Sequence, residues 1–323
     1  MSMRPSAALE TSPPAPDRFA ADVRHSLSLT PRQLRSRYFY DELGSALFEA
    51  ITRLPWYRIT RSEQTLLRAH ARAILASAGP LTTLIELGPG SGAKLATLVS
   101  GHVQRTMTVH LIDVSGAALG EAASTLARHG ALDVVTHEVE YAAGLAEMAR
   151  QAPGRGPTLA LFLGSNIGNF DPPEGDALLR SIRAALAEGD ALLLGTDLVK
   201  PERELLLAYD DPLGVTAAFN RNLLVRANRE LGADFDVDAF AHRALWNAGA
   251  SRVEMHLVSE RRQHVRIPAS CLAITLEAGE TIWTESSYKY RASDVRAMLE
   301  RAGFRARAEW RENSFALTLA QAR

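Results

Sequence analysis

A glycine-rich turn between a predicted strand and a predicted helix is the first place where this sequence has the residues to bind a ligand. The turn, Gly88-Pro89-Gly90-Ser91-Gly92, follows the apolar residues 81–87 and precedes the helical pattern of residues 93–99. Glycine lets a backbone approach a ligand closely, and free N–H groups at a helix start favour negative charge. Asp113 ends the next predicted strand, where a carboxylate accepts hydrogen bonds from ribose hydroxyls. The pattern predicts a nucleotide-type cofactor and is compatible with NAD, FAD and S-adenosylmethionine.

The spacing and the neighbours of this turn favour S-adenosylmethionine. Gly88, Gly90 and Gly92 form a G-x-G-x-G pattern, whereas dinucleotide-binding folds use G-x-G-x-x-G. Glu86 places an acid beside the turn, which suits the cationic methionine end of that cofactor and does not suit a pyrophosphate. The chain also ends in a predicted helix and strand pair, an ending typical of methyltransferases. An NAD(P)-linked oxidoreductase remains the alternative from a second class.

The bulk composition excludes several kinds of partner. The 36 basic and 37 acidic side chains nearly cancel, so nothing indicates nucleic acid or an anionic membrane as a partner. No apolar run reaches the roughly 20 residues of a membrane span, and residues 1–17 lack the apolar core of a secretory signal. The single cysteine, Cys271, excludes an internal disulfide and suits a reducing compartment. We expect a cytoplasmic, soluble monomer that acts on a small molecule, with no metal because no cluster has metal-ligand spacing.

Strand and helix patterns alternate through the middle of the chain. Residues 17–78 have a helical pattern with a break at Leu54-Pro55, and Ser62 is the predicted N-cap of the last helix before residue 78. Predicted strands follow at residues 81–87, 106–112, 157–163 and 190–195, with helical patterns between them that include residues 175–187, and the chain ends in a helix at 292–302 and strands at 305–311 and 314–320. This alternation predicts a parallel sheet with helices on both faces.

The segment before the last helix is too long and too apolar to be a loop. We expect it to be an inserted substrate-binding lobe, with β-strands from Arg252 onwards and a turn at residues 277–280. The predicted organisation is a flexible tail (1–17), the N-terminal part of the lobe (18–61), a cofactor-binding domain (62–198), the inserted lobe (199–291) and the C-terminal completion of the cofactor domain (292–323).

Several longer motifs carry a resemblance to one family. They lie on both sides of the glycine-rich turn and include Tyr38-Phe39-Tyr40-Asp41, Ile51-Thr52-Arg53-Leu54-Pro55, Phe162-Leu163-Gly164-Ser165-Asn166-Ile167-Gly168-Asn169, Leu194-Gly195-Thr196-Asp197-Leu198-Val199-Lys200, Ala208-Tyr209-Asp210-Asp211 and Thr284-Glu285 with Ser287 and Lys289. With these motifs the chain resembles the histidine-specific methyltransferases that make hercynine on the way to ergothioneine, from about Arg35 to the C-terminus. The resemblance implies a doubly wound, Rossmann-like class I methyltransferase sheet of the α/β class, with a substrate-binding lobe from the N-terminal segment and the insertion.

The resemblance also implies how the cofactor and the amino-acid end of the substrate are held. Gly88, Lys94 and Asp113 would hold S-adenosylmethionine, with Glu140 and Tyr141 flanking the adenine. The α-amino and carboxylate end of L-histidine would be held by Asn169 and Tyr209, with Tyr40 near the reacting nitrogen. Asn169 also suits a plain turn, because asparagine and glycine are turn formers.

The imidazole would be recognised by Tyr57, Glu285 and Ser287, with Met255 lining that pocket, as the resemblance implies. The residues support this independently, because Glu285 and Ser287 lie two apart on a predicted strand and therefore point to one face. A carboxylate and a hydroxyl can accept from one imidazole nitrogen and donate to the other. The alternative is that Glu285 forms a salt bridge with Lys289 on an exposed strand.

The expected reaction is Nα-trimethylation of histidine by direct SN2 displacement at the sulfonium methyl, without a metal. The amine has to lose a proton before each of three transfers, and a hydrogen bond to Tyr40 or Asn169, with water taking the proton, is sufficient in principle. Two further hypotheses stay open: an N-methyltransferase for another amino acid or aromatic amine such as tryptophan, and a catalytically silent cofactor-binding partner protein.

Overall fold

The computed structural model describes residues 15–100, 107–129, 132–151 and 155–323. The predicted tail, 1–17, lies outside the described residues up to residue 14, and a helix begins within it at Ala15. Thr106, the first residue of the second predicted strand, also lies outside them.

The described residues form ten α-helices and thirteen strands. In chain order, the helices α1 to α10 are Ala15–Leu27, Glu42–Arg53, Ile59–Ala78, Ala93–Val99, Gly116–Leu126, Tyr141–Gln151, Pro172–Ala184, Glu202–Tyr209, Val215–Leu231 and Ala292–Arg301. In the same order, the strands β1 to β13 are Arg32–Gln33, Thr83–Leu87, Met107–Asp113, Leu132–Glu138, Thr158–Phe162, Ala191–Asp197, Phe240–Asn247, Arg252–Ser259, Gln263–Ile267, Leu272–Leu276, Thr281–Tyr288, Phe304–Glu312 and Phe315–Ala322.

The chain forms two compact units. The sheet unit contains Thr52–Tyr209, Leu245–Val253 and Ser286–Arg323, and the second unit contains the described residues up to Ile51, Asp210–Ala244 and Glu254–Glu285. These limits differ from the predicted lobe, because residues 52–61, 199–209, 245–253 and 286–291 belong to the sheet unit. One reason is that the backbone of Tyr290 bonds to Asp197 and Val199 at the end of β6.

A seven-stranded sheet in the order β12-β13-β6-β5-β2-β3-β4 forms the centre of the sheet unit. Strands β2 to β6 are parallel, and β13 runs antiparallel to both β6 and β12. Helices α3, α4 and α5 pack together, and so do α6, α7 and α10. Strands β2, β5 and β6 are buried along their whole length, as central parallel strands should be. The predicted doubly wound α/β class is confirmed, and so is the closing helix and strand pair.

Two predictions near the sheet are wrong in detail. Strand β4 is absent from the prediction, because it is an edge strand with alternating half-buried and exposed residues and no continuous apolar run. Helix α3 begins at Ile59 and its N-cap is Arg58, so Ser62 is not the N-cap. Ser62 is buried inside the helix, where its hydroxyl accepts a hydrogen bond from Asn313. The predicted break at Leu54-Pro55 is confirmed between α2 and α3.

The second unit contains α9 and most of a small sheet in the order β1-β11-β8-β7, with β9 and β10 as a separate antiparallel pair. The rings of Phe39 and Phe219 stack in its core at 4.5 Å. Strand β1 interrupts a segment predicted as wholly helical, because Arg32 and Gln33 pair in parallel with Ile282 and Trp283. The strands expected from Arg252 onwards are confirmed. Among the described residues, no helix has the length and apolarity needed to cross a membrane.

A histidine pair joins β3 to the edge strand β4 and makes the stability of the sheet depend on pH. His110 Nδ1 lies 3.0 Å from His137 Nε2, with Arg155, Asp133 and Glu147 also facing His110. Burial, and then the charges of His137 and Arg155, lower the pKa of His110 below its usual value. The folded protein therefore binds fewer protons than the unfolded chain below about pH 6.5, and its stability falls as the pH falls through that range.

We expect the free energy of unfolding by urea to decrease between pH 7.5 and pH 5, and to decrease less in the variant His110→Asn. The matched control is His264→Asn, because His264 is exposed. If His110→Asn has the same pH dependence as the unaltered protein, the histidine pair does not control this property.

Candidate functional site

The glycine-rich turn follows β2 and begins α4, as predicted. Gly88 and Gly90 have φ of +68° and +54°, in the left-handed region that favours glycine. A Cβ at position 88 would lie 2.5 Å from the hydroxyl of Tyr141 and 3.1 Å from the side chain of Asn166, whereas a Cβ at position 90 would face open space. Gly88 is therefore required by close packing, and Gly90 leaves room beside the backbone.

Glu86 is a buried carboxyl at the end of β2 with an orphaned oxygen. Its exposure is 1%, and among the described residues its Oε2 has no hydrogen-bond partner. Burial raises the pKa of Glu86 to about 8, against the opposing charge of Lys94 and with the charge of Glu63. A buried acid without a partner is costly, so this carboxyl has the chemistry to pair with a cationic ligand group.

Lys94 is held by a carboxylate that the sequence did not indicate. Its Nζ lies 2.6 Å from Glu63 Oε2, and Glu63 is fully buried in α3. Both oxygens of Glu63 accept from the backbone N–H of Gly164, at 2.8 and 3.0 Å. Glu63 thus connects α3 to the loop after β5 and to the cofactor turn. It lies in no sequence motif, so only the fold identifies it.

Asp113 ends β3 and Tyr141 begins α6, near the same turn. Asp113 Oδ1 accepts from the backbone N–H of Ser115 at 2.9 Å, and burial raises the pKa of Asp113 above its usual value. Burial and the charges of Asp113 and Glu86 raise the pKa of Tyr141, so its phenol stays protonated. Glu140 is exposed beside Tyr141. The glycines and carboxyl groups at the carboxyl ends of β2 and β3 fit S-adenosylmethionine. Asp113 would suit its ribose, and the unpartnered oxygen of Glu86 would suit its methionine end.

The asparagine loop after β5 forms a short 3₁₀ helix, Asn166–Asn169. Ser165, just before it, has φ of +58°, and its hydroxyl accepts from the backbone N–H of Asp197 at 2.9 Å. A Cβ on Gly168 would lie 2.7 Å from the carbonyl oxygen of Tyr288, so glycine is needed there. Asn169 is half-buried at the end of this turn. The turn and the site predictions for Asn169 are therefore compatible, since ligands bind at this edge of an α/β sheet.

A buried polar cluster joins the ends of β6, α8 and β11 within the sheet unit. The hydroxyls of Tyr209 and Ser287 are 2.7 Å apart, and Lys289 Nζ donates to both, at 2.7 and 2.9 Å. Lys289 also pairs with Asp197 Oδ2 at 3.1 Å. The ring of Tyr57 meets the ring of Tyr209 edge-on, with 6.3 Å between their centroids. The structure thus brings together the predicted residues Tyr57, Tyr209 and Ser287, around a lysine for which no role in substrate binding was predicted.

The alternative in which Glu285 and Lys289 pair on an exposed strand is wrong about exposure. Lys289 is only 2% exposed, and its ammonium donates to Tyr209 and Ser287 and forms an ion pair with Asp197. Glu285 is half-buried on β11, and its backbone carbonyl accepts from Trp283 Nε1 at 2.8 Å.

The remaining predicted residues lie in the second unit. The ring of Tyr40 is edge-on to Phe48 at 5.6 Å and to Phe219 at 5.8 Å, and Tyr40 is 40% exposed. Met255 is buried on β8, and its carbonyl accepts from the hydroxyl of Thr284 on β11. Across the described residues, no group of three or more His, Cys, Asp or Glu side chains is arranged to hold a metal ion.

Comparison with known proteins identifies the family. A family model described as histidine-specific methyltransferase, SAM-dependent, matches residues 19–322. The chain belongs to this family. It is therefore an S-adenosylmethionine-dependent methyltransferase, and the oxidoreductase alternative is excluded.

Three curated relatives illustrate the range of the family. The histidine N-alpha-methyltransferases of Mycolicibacterium smegmatis and Mycobacterium tuberculosis are each 42% identical to this chain over 306 residues, which is 93% of this chain and 93% of each relative. The ergothioneine biosynthesis protein 1 of Schizosaccharomyces pombe is 27% identical over 289 residues, which is 86% of this methyltransferase and 37% of that relative.

Binding of the cofactor should release a proton from Glu86. With a pKa of about 8, this carboxyl is mostly protonated near pH 7 before the cofactor binds, and it must ionise to pair with the methionine ammonium. We expect affinity for S-adenosylhomocysteine to rise from pH 6.5 to pH 8.5. Calorimetry in buffers of different ionisation enthalpy should detect proton release near pH 7.

The variant Glu86→Gln should lose this proton release and bind the ligand about tenfold more weakly. Glu121→Gln is the control, because Glu121 is exposed on α5. Undiminished proton release in Glu86→Gln would show that another group ionises.

Proposed function

We propose that this methyltransferase transfers three methyl groups to the α-amino nitrogen of L-histidine and forms hercynine, the first step of ergothioneine biosynthesis. The observation that carries the proposal is the family match over residues 19–322, combined with Glu285 and Ser287 two residues apart on β11. The names of the two mycobacterial relatives support histidine as the substrate, and that of the fission yeast relative supports the pathway. The single cysteine supports a site of action in the cytoplasm.

Recognition of the imidazole is assigned to Glu285 and Ser287, with Tyr57 and Met255 as further lining residues. A neutral imidazole has one N–H and one bare nitrogen, so it needs one acceptor and one donor. Glu285 supplies an acceptor and Ser287 can donate. A phenylalanine or leucine side chain offers neither a donor to Glu285 nor an acceptor to Ser287, which disfavours such substrates.

The amino-acid end of histidine is assigned to Asn169 and Tyr209. Both lie at the carboxyl edge of the parallel sheet, after β5 and in the helix after β6. This is the edge at which Gly88, Gly90, Lys94 and Asp113 would hold the cofactor. A substrate nitrogen held there can be placed in line with a methyl group at the reacting distance of about 3 Å.

S-adenosylmethionine, when bound, supplies the activated methyl group, and we propose direct SN2 transfer without a metal. The protein has to present an uncharged amine, so Tyr40 or Asn169 would accept a hydrogen bond from the nitrogen while water takes the proton. We assign to Tyr40, which is 40% exposed, the aromatic contact that a permanently cationic product can accept.

Mass spectrometry of histidine incubated with the protein and S-adenosylmethionine tests the proposal. We expect products heavier by one, two and three methyl groups, with the trimethylated form accumulating. Tryptophan and tyrosine in the same mixture should react far more slowly. Equal rates on all three amino acids would defeat the proposal in favour of a general aromatic N-methyltransferase.

The variant Glu285→Gln should raise KM for histidine about tenfold to a hundredfold, because the amide is a weaker acceptor for the ring N–H. Affinity for S-adenosylhomocysteine should stay unchanged. Ser286→Ala is the matched control, since Ser286 lies on the same strand and its side chain is expected to point to the opposite face. An unaltered KM in Glu285→Gln would remove Glu285 from ring recognition.

A further inference from the structure

Lys289 forms hydrogen bonds to two of the residues that we assign to substrate binding, Tyr209 and Ser287. Its fully buried side chain donates to Tyr209 Oη and to Ser287 Oγ, and pairs with the carboxylate of Asp197. All four residues belong to the sheet unit. A lysine ammonium has three donors and no acceptor, so Lys289 can only be the donor in both hydrogen bonds.

The direction of these hydrogen bonds determines whether the two hydroxyls can donate to a ligand or accept from it. Tyr209 Oη and Ser287 Oγ are 2.7 Å apart, so one of them donates to the other. Because Lys289 donates to both oxygens, one hydroxyl proton lies between them and the second must be directed out of the trio. The pair therefore presents a donor to a further group. Without Lys289, either hydroxyl would be able to turn and accept.

The charges of the buried cluster also favour a ligand atom that accepts a hydrogen bond. Asp197 pairs with Lys289 through Oδ2 and with Lys200 through Oδ1, at 3.1 and 2.7 Å. Within this buried cluster one carboxylate thus serves two ammonium groups, while the charge of the exposed Glu204 also acts on Lys200. Buried charge is costly unless it is balanced, so an acceptor atom that carries negative charge is favoured next to the hydroxyls. A donor or a cation at the same place is disfavoured.

We propose that Lys289 is a positioning residue that keeps the Tyr209–Ser287 pair in a donating state, and thereby selects substrates that present an acceptor atom to it. This inference rests on the proposed function, which supplies histidine as the substrate. Histidine offers two such atoms, an oxygen of its carboxylate and the unprotonated nitrogen of its ring. Lys289 need not touch either of them.

Binding of three ligands to the protein saturated with S-adenosylhomocysteine tests the inference by calorimetry. The ligands are L-histidine, histamine, which has no carboxylate and no other oxygen acceptor, and 3-(2-thienyl)-L-alanine, whose ring lacks nitrogen. We expect the unaltered protein to prefer histidine over both. The variant Lys289→Met should reduce one preference by about tenfold or more, the usual contribution of a charge-assisted hydrogen bond.

The two ligand comparisons identify the acceptor. A reduced preference over histamine assigns the pair to the carboxylate, and a reduced preference over thienylalanine assigns it to the ring nitrogen. If Lys289→Met retains both preferences, the inference is overturned. Intrinsic differences between the ligands cancel in these ratios, because each is compared across two proteins.

Lys200→Met is the matched control, because Lys200 pairs with the same carboxylate through its other oxygen and borders a small cavity of about 20 Å³. It should retain both preferences, and an equal loss in both variants would assign the effect to the charge of the cluster and overturn the inference. Unchanged affinity for S-adenosylhomocysteine checks that each variant is folded. If the unaltered protein neither binds nor methylates histidine, the proposed function fails instead.

A second measurement needs no change at position 289. The sequence has only three lysines, Lys94, Lys200 and Lys289, so protein with isotope-labelled lysine gives three side-chain signals. We expect the Lys289 signal near pH 7 to be that of an ammonium before any substrate is added, and to shift when histidine binds. A signal of a neutral amine would overturn the inference, because a neutral lysine can accept from either hydroxyl. The ligand-free result does not depend on which substrate is methylated.

Discussion

Balancing buried charge at the carboxyl edge of the parallel sheet is the constraint on which the sheet unit depends. Three carboxyl groups are buried there, on Glu63, Glu86 and Asp197. Each costs free energy unless it is paired, and loss of one partner of a buried ion pair costs about 3–5 kcal/mol. Glu63 pairs with Lys94, and Asp197 pairs with two lysines. All three lysines of the chain are used in this way, while its other basic residues are arginines.

Glu86 differs from the other two buried carboxyl groups because no ion pair balances it among the described residues. It precedes the glycine-rich turn by two residues, and one of its oxygens lacks a hydrogen-bond partner among the described residues. Lys94, whose charge acts on Glu86, pairs with Glu63 at 2.6 Å. The protein therefore retains a buried acid whose ionisation is unfavourable alone and favourable beside a cation. S-adenosylmethionine carries such a cation at its methionine end, so in the proposed cofactor site its binding would complete a charge balance that folding leaves open.

The sequence predicted the parts of the structure that depend on local pattern. The turn from Gly88 to α4, the strand end at Asp113 and the closing strands near the C-terminus follow from glycine spacing and apolar runs, and all are present. Strand β4 was not predicted, because an edge strand buries little apolar surface and needs no continuous apolar run. The short strand β1 exists only through its pairing with β11, which no local pattern indicates.

The contacts within the site were the least predictable part, for a related reason. Tyr209 and Ser287 were expected to bind different ends of the substrate, but the structure joins their hydroxyls at 2.7 Å. They are far apart in sequence, and the residue that links them, Lys289, has a pattern that equally suits an exposed strand. Only the fold places its ammonium beside Asp197 at the end of β6. The proposed functional consequence follows from the chemistry of that lysine. A group that can only donate makes both hydroxyls accept from it, and so directs one proton of the pair outward.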